Sequence, residues 1–580
     1  PDPVGTAARE RFGVGYLFPY QRLVITNVLQ AAAPPAAPAA AEDFEDRRDR
    51  QLVILPTGSG KSLCFQLPAV LLSGVTVVVY PLLALIADQK RRLDDLGIAC
   101  ETLTGRSTAA DVSRIRAALC PGHTRNTAAG AGTEPSELSA PGRGPRLILT
   151  NPETLVTPRA RRLFEGVAVS HLVIDEAHCV AEWGETFRPA YLELGPVTAE
   201  LAPSVVTGFT ATASPDVLAR INTHLFGDGG YHLIRGNPDR PNIRYAVLPV
   251  ASKAAALRTL LGADRTDGYG GAGCAGDPRP ESGARRDDGE RPRPVLRPAV
   301  VFCRTRGRCE RTALELRRVL PDERIYFYHA GLSKEEKTAV EAWFLSSPDG
   351  VLIATCAYGM GVDKKDIRAV IHRDLPPTVE SYLQESGRAG RDGKPSQAIV
   401  LASPRETAGP AGGGPAEFGR RGSGSGSGDG DGDGDGGSWE SYLSGERCRR
   451  QVLIEALGAE AEACSGCDVC DGVARAESPV AVAIVSWLSH RRRRYTAAVA
   501  AAVLAGTART APVPWHPARE PTFGLLRAWR REEIEEALDE LAAGGRVRVI
   551  RRGPWRGRVI TRPRGLRGGS VSPACRHRLF

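Results

Sequence analysis

The chain has 580 residues, a formal net charge of +9, and 25% charged against 42% hydrophobic residues, which fits a soluble globular protein of about three or four domains. Its longest apolar run, residues 75–87, is broken by Pro81 and is shorter than the roughly 20 residues that cross a bilayer. No basic-then-apolar leader opens the chain, so neither a membrane span nor secretion is expected. The charge is uneven: residues 471–580 hold 21 Arg against 9 acidic residues, a net of +12, which leaves −3 for the rest. A basic C-terminal region of this kind suits a polyanion such as nucleic acid. Thirteen cysteines, nine of them scattered singly, point to reduced intracellular thiols and not to a disulfide framework.

Residues 12–29 read as a loop leading into a helix, with Gln21 near its start, and the Ala/Pro-rich 31–41 as a surface insertion. Gln51 to Leu55 is a short buried-strand pattern, followed by Pro56-Thr57-Gly58-Ser59-Gly60-Lys61-Ser62 and a helical pattern. Strand, glycine-rich loop, Lys-Ser and helix make a phosphate cradle. Glycines let backbone N–H groups approach phosphate oxygens, and the helix N-terminus adds its dipole. In that arrangement Lys61 neutralises the β- and γ-phosphates and the Ser62 hydroxyl ligates Mg2+. Leu55 stands where the strict pattern has glycine.

Further apolar strands are expected at 75–80, 147–150, 172–174 and 205–209, the last capped by Thr210-Ala211-Thr212, with a Gly/Ser/Pro-rich insertion at 122–144. The strand at 172–174 delivers Asp175 and Glu176 at its C-terminal end, the edge at which open α/β sheets bind ligands. Asp175 is expected to hold Mg2+ through water, and Glu176 to polarise the attacking water. Trp183, Phe187, Arg188 and Tyr191 follow at once, a surface suited to stacking bases beside the acids. A second α/β unit resumes at Ile243, is interrupted by a Gly/Arg/Asp/Pro-rich stretch at 263–298, and has strands at 300–303 and 351–355. Arg388 and Arg391, three apart with small residues between them, suit a charge clamp on a transferring phosphoryl group.

Residues 404–437 end in Ser-Gly and Asp-Gly repeats, a flexible linker. Cys448 and then Cys464-Ser-Gly-Cys467-Asp-Val-Cys470 supply four thiols. Four thiolates suit tetrahedral Zn2+ in a closed and therefore structural site, with an iron–sulfur cluster as the alternative. Helical patterns at 480–489, 496–504 and 531–542 precede strands at 546–551 and 558–562, around a turn that carries Trp555. Helices followed by a basic hairpin describe a winged helix. Its third helix, EEIEEALDEL, is too acidic to read a major groove. That leaves backbone or junction binding through Arg491 to Arg494 and the hairpin, with Trp555 either stacking on a terminal base pair or folded against its own domain.

Together these residues resemble the RecQ family of DEAH-type DNA helicases, in helicase superfamily two, from about residue 12 to 565. The most specific piece is Asp175-Glu176-Ala177-His178-Cys179 with the following W-G-x-x-F-R-P-x-Y, which is similar to the family's aromatic-rich loop. Gln21 of the adenine-contacting motif, PTGSGKS, Thr210-Ala211-Thr212, Asp239-Arg240-Pro241-Asn242, the segment 354–364 and QESGRAGRDG match as well. So does the order of motor, four-cysteine module and winged helix. The resemblance implies ATP-dependent 3′-to-5′ translocation on single-stranded DNA, duplex unwinding, and roles in repair and recombination. There are departures. Leu17-Phe18 stands where the family has Phe-Arg, so an adenine-stacking arginine is missing; either Phe18 or Tyr20 substitutes, or nucleotide selectivity is looser. Glu185 stands where His is common, and the additional C-terminal helical domain of many members is not expected after the winged helix.

The expected fold is thus α/β. Two tandem RecA-like parallel-sheet motor domains occupy 1–233 and 234–403. A linker at 404–438, a four-cysteine zinc-binding helical module at 439–476, a winged helix at 479–566 and a basic tail at 567–580 follow. ATP and Mg2+ are expected between the motor domains, held by Gln21, Thr57, Gly58, Ser59, Gly60, Lys61, Ser62, Asp175 and Glu176 from the first and met by Arg388 and Arg391 from the second. Trp183, Phe187, Arg188 and Trp555 are expected to contact or sense single-stranded, duplex or forked DNA, and Cys448, Cys464, Cys467 and Cys470 to hold Zn2+. The expected setting is the cytoplasm, bacterial and nucleoid-associated, with no membrane partner. An RNA-directed helicase or translocase, and a DNA-binding protein with a degenerate motor, are the alternatives.

Overall fold

The computed structural model describes residues 2–33, 48–56, 59–119, 146–183, 188–237, 239–262, 295–321, 324–359, 364–407, 436–459, 463–507, 521–552 and 554–561. The expected insertions at 31–41, 122–144 and 263–298 fall wholly or mostly outside these residues, as do the Ser-Gly and Asp-Gly repeats and the tail. Thr57, Gly58, Glu185 and Phe187 also lie outside the described residues.

The first sheet is built from β1 (Arg50–Ile54), β2 (Val75–Val79), β3 (Cys100–Leu103), β4 (Leu147–Thr150), β5 (Val169–Asp175), β6 (Val205–Thr210) and β7 (His232–Arg235), in the spatial order β3-β4-β2-β5-β6-β1-β7. Every pairing in it is parallel. Strand β2 reads Val-Thr-Val-Val-Val and is buried throughout. Val75, Val77 and Val79 enter one apolar cluster, while Val78 enters the cluster on the opposite face. A strand that is apolar on both faces needs helices on both, and a parallel sheet with helical crossovers supplies them. Each fully buried Val or Leu of this kind contributes about 1.5–3 kcal/mol relative to exposure.

The second sheet repeats the plan with β8 (Ile243–Pro249), β9 (Ala299–Phe302), β10 (Ile325–Tyr328), β11 (Val351–Ala354), β12 (Ala369–His372) and β13 (Ser396–Ala402), in the order β10-β11-β9-β12-β13-β8. Its pairings are parallel too. Val300 and Phe302 of β9 face one core, Ala299 and Val301 the other. The expected pair of parallel-sheet, RecA-like domains is therefore present. The first sheet ends with β7 at Arg235, two residues past the expected boundary at 233. Among the described residues no helix is long and apolar enough to cross a membrane.

The four-cysteine segment shares the core of the second sheet. Trp439 and Tyr442 from the helix Gly436–Ser444, Val452 and Leu453 from the helix Arg449–Ala456, and Cys467 pack in one cluster with residues of β8, β9 and β11. Beyond it the helices Pro479–Ser489, Ala497–Ala505 and Arg531–Ala543 enclose a separate apolar cluster with the antiparallel hairpin of β14 (Val547–Val549) and β15 (Val559–Thr561). The hairpin strands are shorter than expected from 546–551 and 558–562.

The acidity of the helix Arg531–Ala543 has a structural outlet. Glu533 accepts from Arg258 Nε at 2.7 Å and from its Nη2 at 3.0 Å. Glu536 accepts from the Ser252 hydroxyl, from Ala254 N–H at 3.1 Å and from Arg373 Nη2 at 3.3 Å. Its carboxylates thus dock the unit on the second sheet's helices and strand ends. Charge-assisted hydrogen bonds of this kind are roughly twice as strong as neutral ones.

Candidate nucleotide and nucleic-acid site

Strand β1 runs into the glycine-rich loop, which ends at Gly60 in the left-handed region (φ 77°) before the helix Lys61–Leu71 begins. Only glycine fits there. A Cβ on Gly60 would also come within 2.5 Å of Gln21 Nε2, below any real contact distance. Leu55, the departure from the strict pattern, is fully buried with Val53 and Phe65 and donates its N–H to Thr210 O at 3.0 Å. It extends β1 as a core residue.

Gln21 lies at the start of the helix Pro19–Ala31 and is 4% exposed. Its Nε2 donates to Ser59 O at 3.0 Å and its Oε1 accepts from Phe18 N–H at 3.0 Å. The Tyr20 hydroxyl donates to the same Ser59 carbonyl at 3.0 Å. Beside this point Phe18 and Tyr20 stack with centroids 5.5 Å apart and planes 8° apart, and Tyr16 meets Phe18 edge-on. Phe18 is half exposed. The position where the family carries arginine thus offers an open aromatic face next to the phosphate loop.

Asp175 and Glu176 sit at the C-terminal end of β5, near the middle of the sheet. Glu176 has φ 52°, unusual for a residue with a side chain and a feature that concentrates at functional sites. Burial and the adjacent Glu176 push the Asp175 carboxyl up, against the pull of Lys61. Burial works against the Glu176 charge as well, but Lys61, His178, Arg388 and Arg391 outweigh it and hold that carboxyl below its usual range. The two cations from the second domain therefore act on an acid of the first.

Buried atoms of this cleft that make no hydrogen bond among the described residues include Lys61 Nζ, Glu176 Oε2 and Arg388 Nε. Arg388 follows the helix Val379–Ser386 and is 5% exposed. Burial, then Arg391, pushes its guanidinium down to about 10. Buried charged groups whose atoms lack hydrogen bonds are costly, and nucleotide phosphates with a divalent cation and its water would supply bonds to all three. The residues present fit ATP and Mg2+ by this test. Lys61 and the arginines can receive phosphate oxygens, and Asp175 and Ser62 are oxygen donors of the hard kind that Mg2+ takes.

His178 extends the site in a way that the local sequence shows only in part. The Thr210 hydroxyl donates to Thr212 O at 2.8 Å, so its oxygen must accept from His178 Nδ1, 3.1 Å away. That places a proton on Nδ1, which also lies 3.4 Å from Glu176 Oε2. The paired acids are thereby linked to the C-terminal end of β6.

Of the residues expected to meet DNA, Trp183 ends the helix His178–Trp183. Arg188 is held by Glu153 through a bidentate pair at 2.6 Å on each oxygen, and it also donates to Pro81 O. Tyr191 is 1% exposed and belongs to the core. Trp555 lies in the turn between β14 and β15 and is 45% exposed, so it is not folded away. The four cysteine sulfurs lie within 4.8 Å of one another, and Cys448 Sγ is 3.9 Å from Cys467 Sγ. Tetrahedral Zn2+ with Zn–S near 2.3 Å needs sulfurs roughly 3.8 Å apart, so the cluster fits that ion. Cys470 N–H donates to Cys467 Sγ at 3.4 Å, a bond that favours thiolate.

Residues 30–221 match the DEAD/DEAH box helicase model, and residues 296–393 match the helicase conserved C-terminal domain model. The chain is 35% identical over 353 residues to the RecQ-like DNA helicase blm-1 of Caenorhabditis elegans, covering 60% of this chain and 31% of that protein. It is 29% identical over 425 residues to the ATP-dependent DNA helicase RecQ of Pasteurella multocida, covering 72% and 57% respectively. With the probable ATP-dependent DNA helicase RecS of Bacillus subtilis it shares 34% identity over 358 residues, 61% of each chain. The chain thus spans between about a third and three fifths of the length of these relatives. With both helicase models matched over half of the chain between them, and the phosphate loop, paired acids and two arginines gathered in one cleft, the chain belongs to the DEAD/DEAH-box helicases and is similar to the RecQ helicases among them.

Proposed function

We propose that this chain is an ATP-driven DNA helicase that moves 3′-to-5′ along one strand and separates duplex or forked DNA during repair and recombination. The observation that carries this is the convergence of unsatisfied buried charge from two domains: Lys61 and Glu176 from one, Arg388 from the other. In this reading Lys61 and the backbone of Ser59 and Gly60 bind the β- and γ-phosphates, and Gln21 with Phe18 and Tyr20 seats the base. Mg2+, held by Ser62 and Asp175, would neutralise phosphate charge. Glu176 orients and deprotonates the attacking water, and Arg388 and Arg391 stabilise charge on the transferring phosphoryl group. Because the clamp comes from the second domain, closure on ATP and release after hydrolysis change the spacing of the two sheets. That change moves the chain along the strand.

Trp183, Phe187 and Arg188 are assigned to DNA sensing, since they follow the acids in one continuous segment of the chain. The C-terminal helices and hairpin are assigned as a winged helix, with Arg491 to Arg494 and exposed Trp555 toward DNA, and the four cysteines as a structural Zn2+ site. A cytoplasmic, nucleoid-associated setting goes with this role. The test is ATP-dependent strand separation on 3′-tailed, 5′-tailed and RNA-containing duplexes. Activity on the 3′-tailed DNA, lost in Lys61→Ala, is expected. Separation that persists unchanged in Lys61→Ala would refute the ATP site, and activity on the 5′-tailed duplex alone would reverse the polarity.

A further inference from the structure

The loop that carries Arg388 and Arg391 is braced by residues outside the catalytic set. Arg240, just before β8, donates from Nη1 to Gly387 O at 3.1 Å and from Nη2 to Ala389 O at 3.1 Å and Gly390 O at 3.0 Å. Asn242 Nδ2 adds bonds to Gly390 O at 2.8 Å and Lys394 O at 3.0 Å. The fit is close: Gly390 has φ 55°, and a Cβ there would lie 2.4 Å from Asn242 Nδ2. One planar guanidinium thus collects three carbonyls of the loop, which the three-donor, tetrahedral head of lysine cannot do in the same plane.

Arg240 is itself fixed from the four-cysteine module. Arg450, two residues after Cys448, is 1% exposed. Its Nη1 donates to Asp239 Oδ1 and to Arg240 O at 3.1 Å, and its Nη2 to Ile243 O at 2.6 Å. Asp239 Oδ1 also accepts Arg240 N–H at 2.8 Å. A second tie reaches the helix that precedes the arginines. The Tyr382 hydroxyl is hydrogen-bonded to that of Tyr442 at 2.8 Å, and the Tyr382 ring meets Trp439 edge-on.

We propose that Arg240 is a positioning residue for Arg388 and Arg391, and that Arg450 locks it, so that the seating of the four-cysteine module on the second sheet sets the rate of nucleotide hydrolysis. This rests on the assignment of Arg388 and Arg391 as the phosphoryl clamp. The module is then part of the hydrolytic machinery by contact, in addition to any part it has in binding DNA.

The test compares wild type with Arg450→Lys in the full chain. Lysine keeps the charge opposite Asp239 but cannot also serve the two carbonyls. Displacing a catalytic group by a fraction of an ångström to an ångström costs about 10- to 100-fold in rate. The expected result is a fall of about tenfold in kcat for ATP with KM within about twofold. Affinity for ADP with aluminium fluoride, which imitates the transferring phosphoryl group, should fall by a similar factor while ADP affinity is unchanged. A module that only stabilised the fold would not split the two nucleotides in this way. If Arg450→Lys does not fold, Asn242→Ala, half-buried and removing only two of the loop's bonds, is read by the same measurements. A folded variant with wild-type kcat and wild-type affinity for ADP with aluminium fluoride overturns the inference. Lys61→Ala runs alongside, and hydrolysis surviving there would overturn the ATP site itself.

Discussion

Arg388→Ala is expected to lower ATP turnover by about three orders of magnitude, the scale of losing a cation that stabilises a transferring phosphoryl group. The side chain is 5% exposed, and its Nε makes no hydrogen bond among the described residues. Burial and Arg391 lower its affinity for a proton only to about 10, so it is fully charged at neutral pH. A buried cation of this sort costs stability in the nucleotide-free protein. Alanine should therefore leave the melting temperature of the nucleotide-free chain unchanged or raised, even as turnover collapses. Steady-state phosphate release in saturating single-stranded DNA, with a thermal melt, measures both. Turnover within tenfold of wild type would remove Arg388 from the chemistry. A large fall in melting temperature would make it a fold residue.

Glu176→Gln should abolish hydrolysis while preserving, or tightening, ATP binding. The amide keeps the size of the side chain and removes its charge and basicity. General-base catalysis accounts for about 10²–10⁴-fold in rate, so a loss in that range is expected in single-turnover hydrolysis. Affinity moves the other way for an electrostatic reason. Burial, and after it Glu176, raises the proton affinity of Asp175, and removing that neighbouring negative charge favours the ionised Asp175 that Mg2+ requires. ATP affinity equal to or above wild type, read by equilibrium binding with Mg2+ present, is the expected outcome. Hydrolysis at a wild-type rate would exclude Glu176 as the base.

Legibility from sequence followed the range of the interactions. The phosphate loop was readable because strand, glycines, Lys61, Ser62 and helix are consecutive, and Asp175 and Glu176 because they end an apolar strand. The central strands β1, β2, β5, β6, β9 and β11 appeared as short apolar runs. Edge strands β3 and β7 did not: each has four residues and is partly exposed, so neither shows a continuous apolar run. Arg188 stands beside aromatic neighbours in sequence, whereas its pairing with Glu153, 35 residues upstream, has no local signal. The bond between His178 and Thr210 spans 32 residues, and that between Arg240 and Gly387 spans 147. No local pattern carries such pairings. The acidity of the helix Arg531–Ala543 was visible and was read as a poor fit to a DNA groove, whereas its positive use, docking on Arg258 and Arg373, required the fold.

That docking ties the helix before the hairpin to the second sheet. Glu533 and Glu536 anchor the first half of the helix, and the turn with Trp555 follows it in the chain, between β14 and β15. A rotation of the second sheet would carry the docked helix with it, and Gly544 and Gly545 stand between that helix and β14. Two of the anchors, Arg258 with Glu533 and Arg373 with Glu536, are ionic, so added salt weakens this docking while leaving the apolar cores on either side intact.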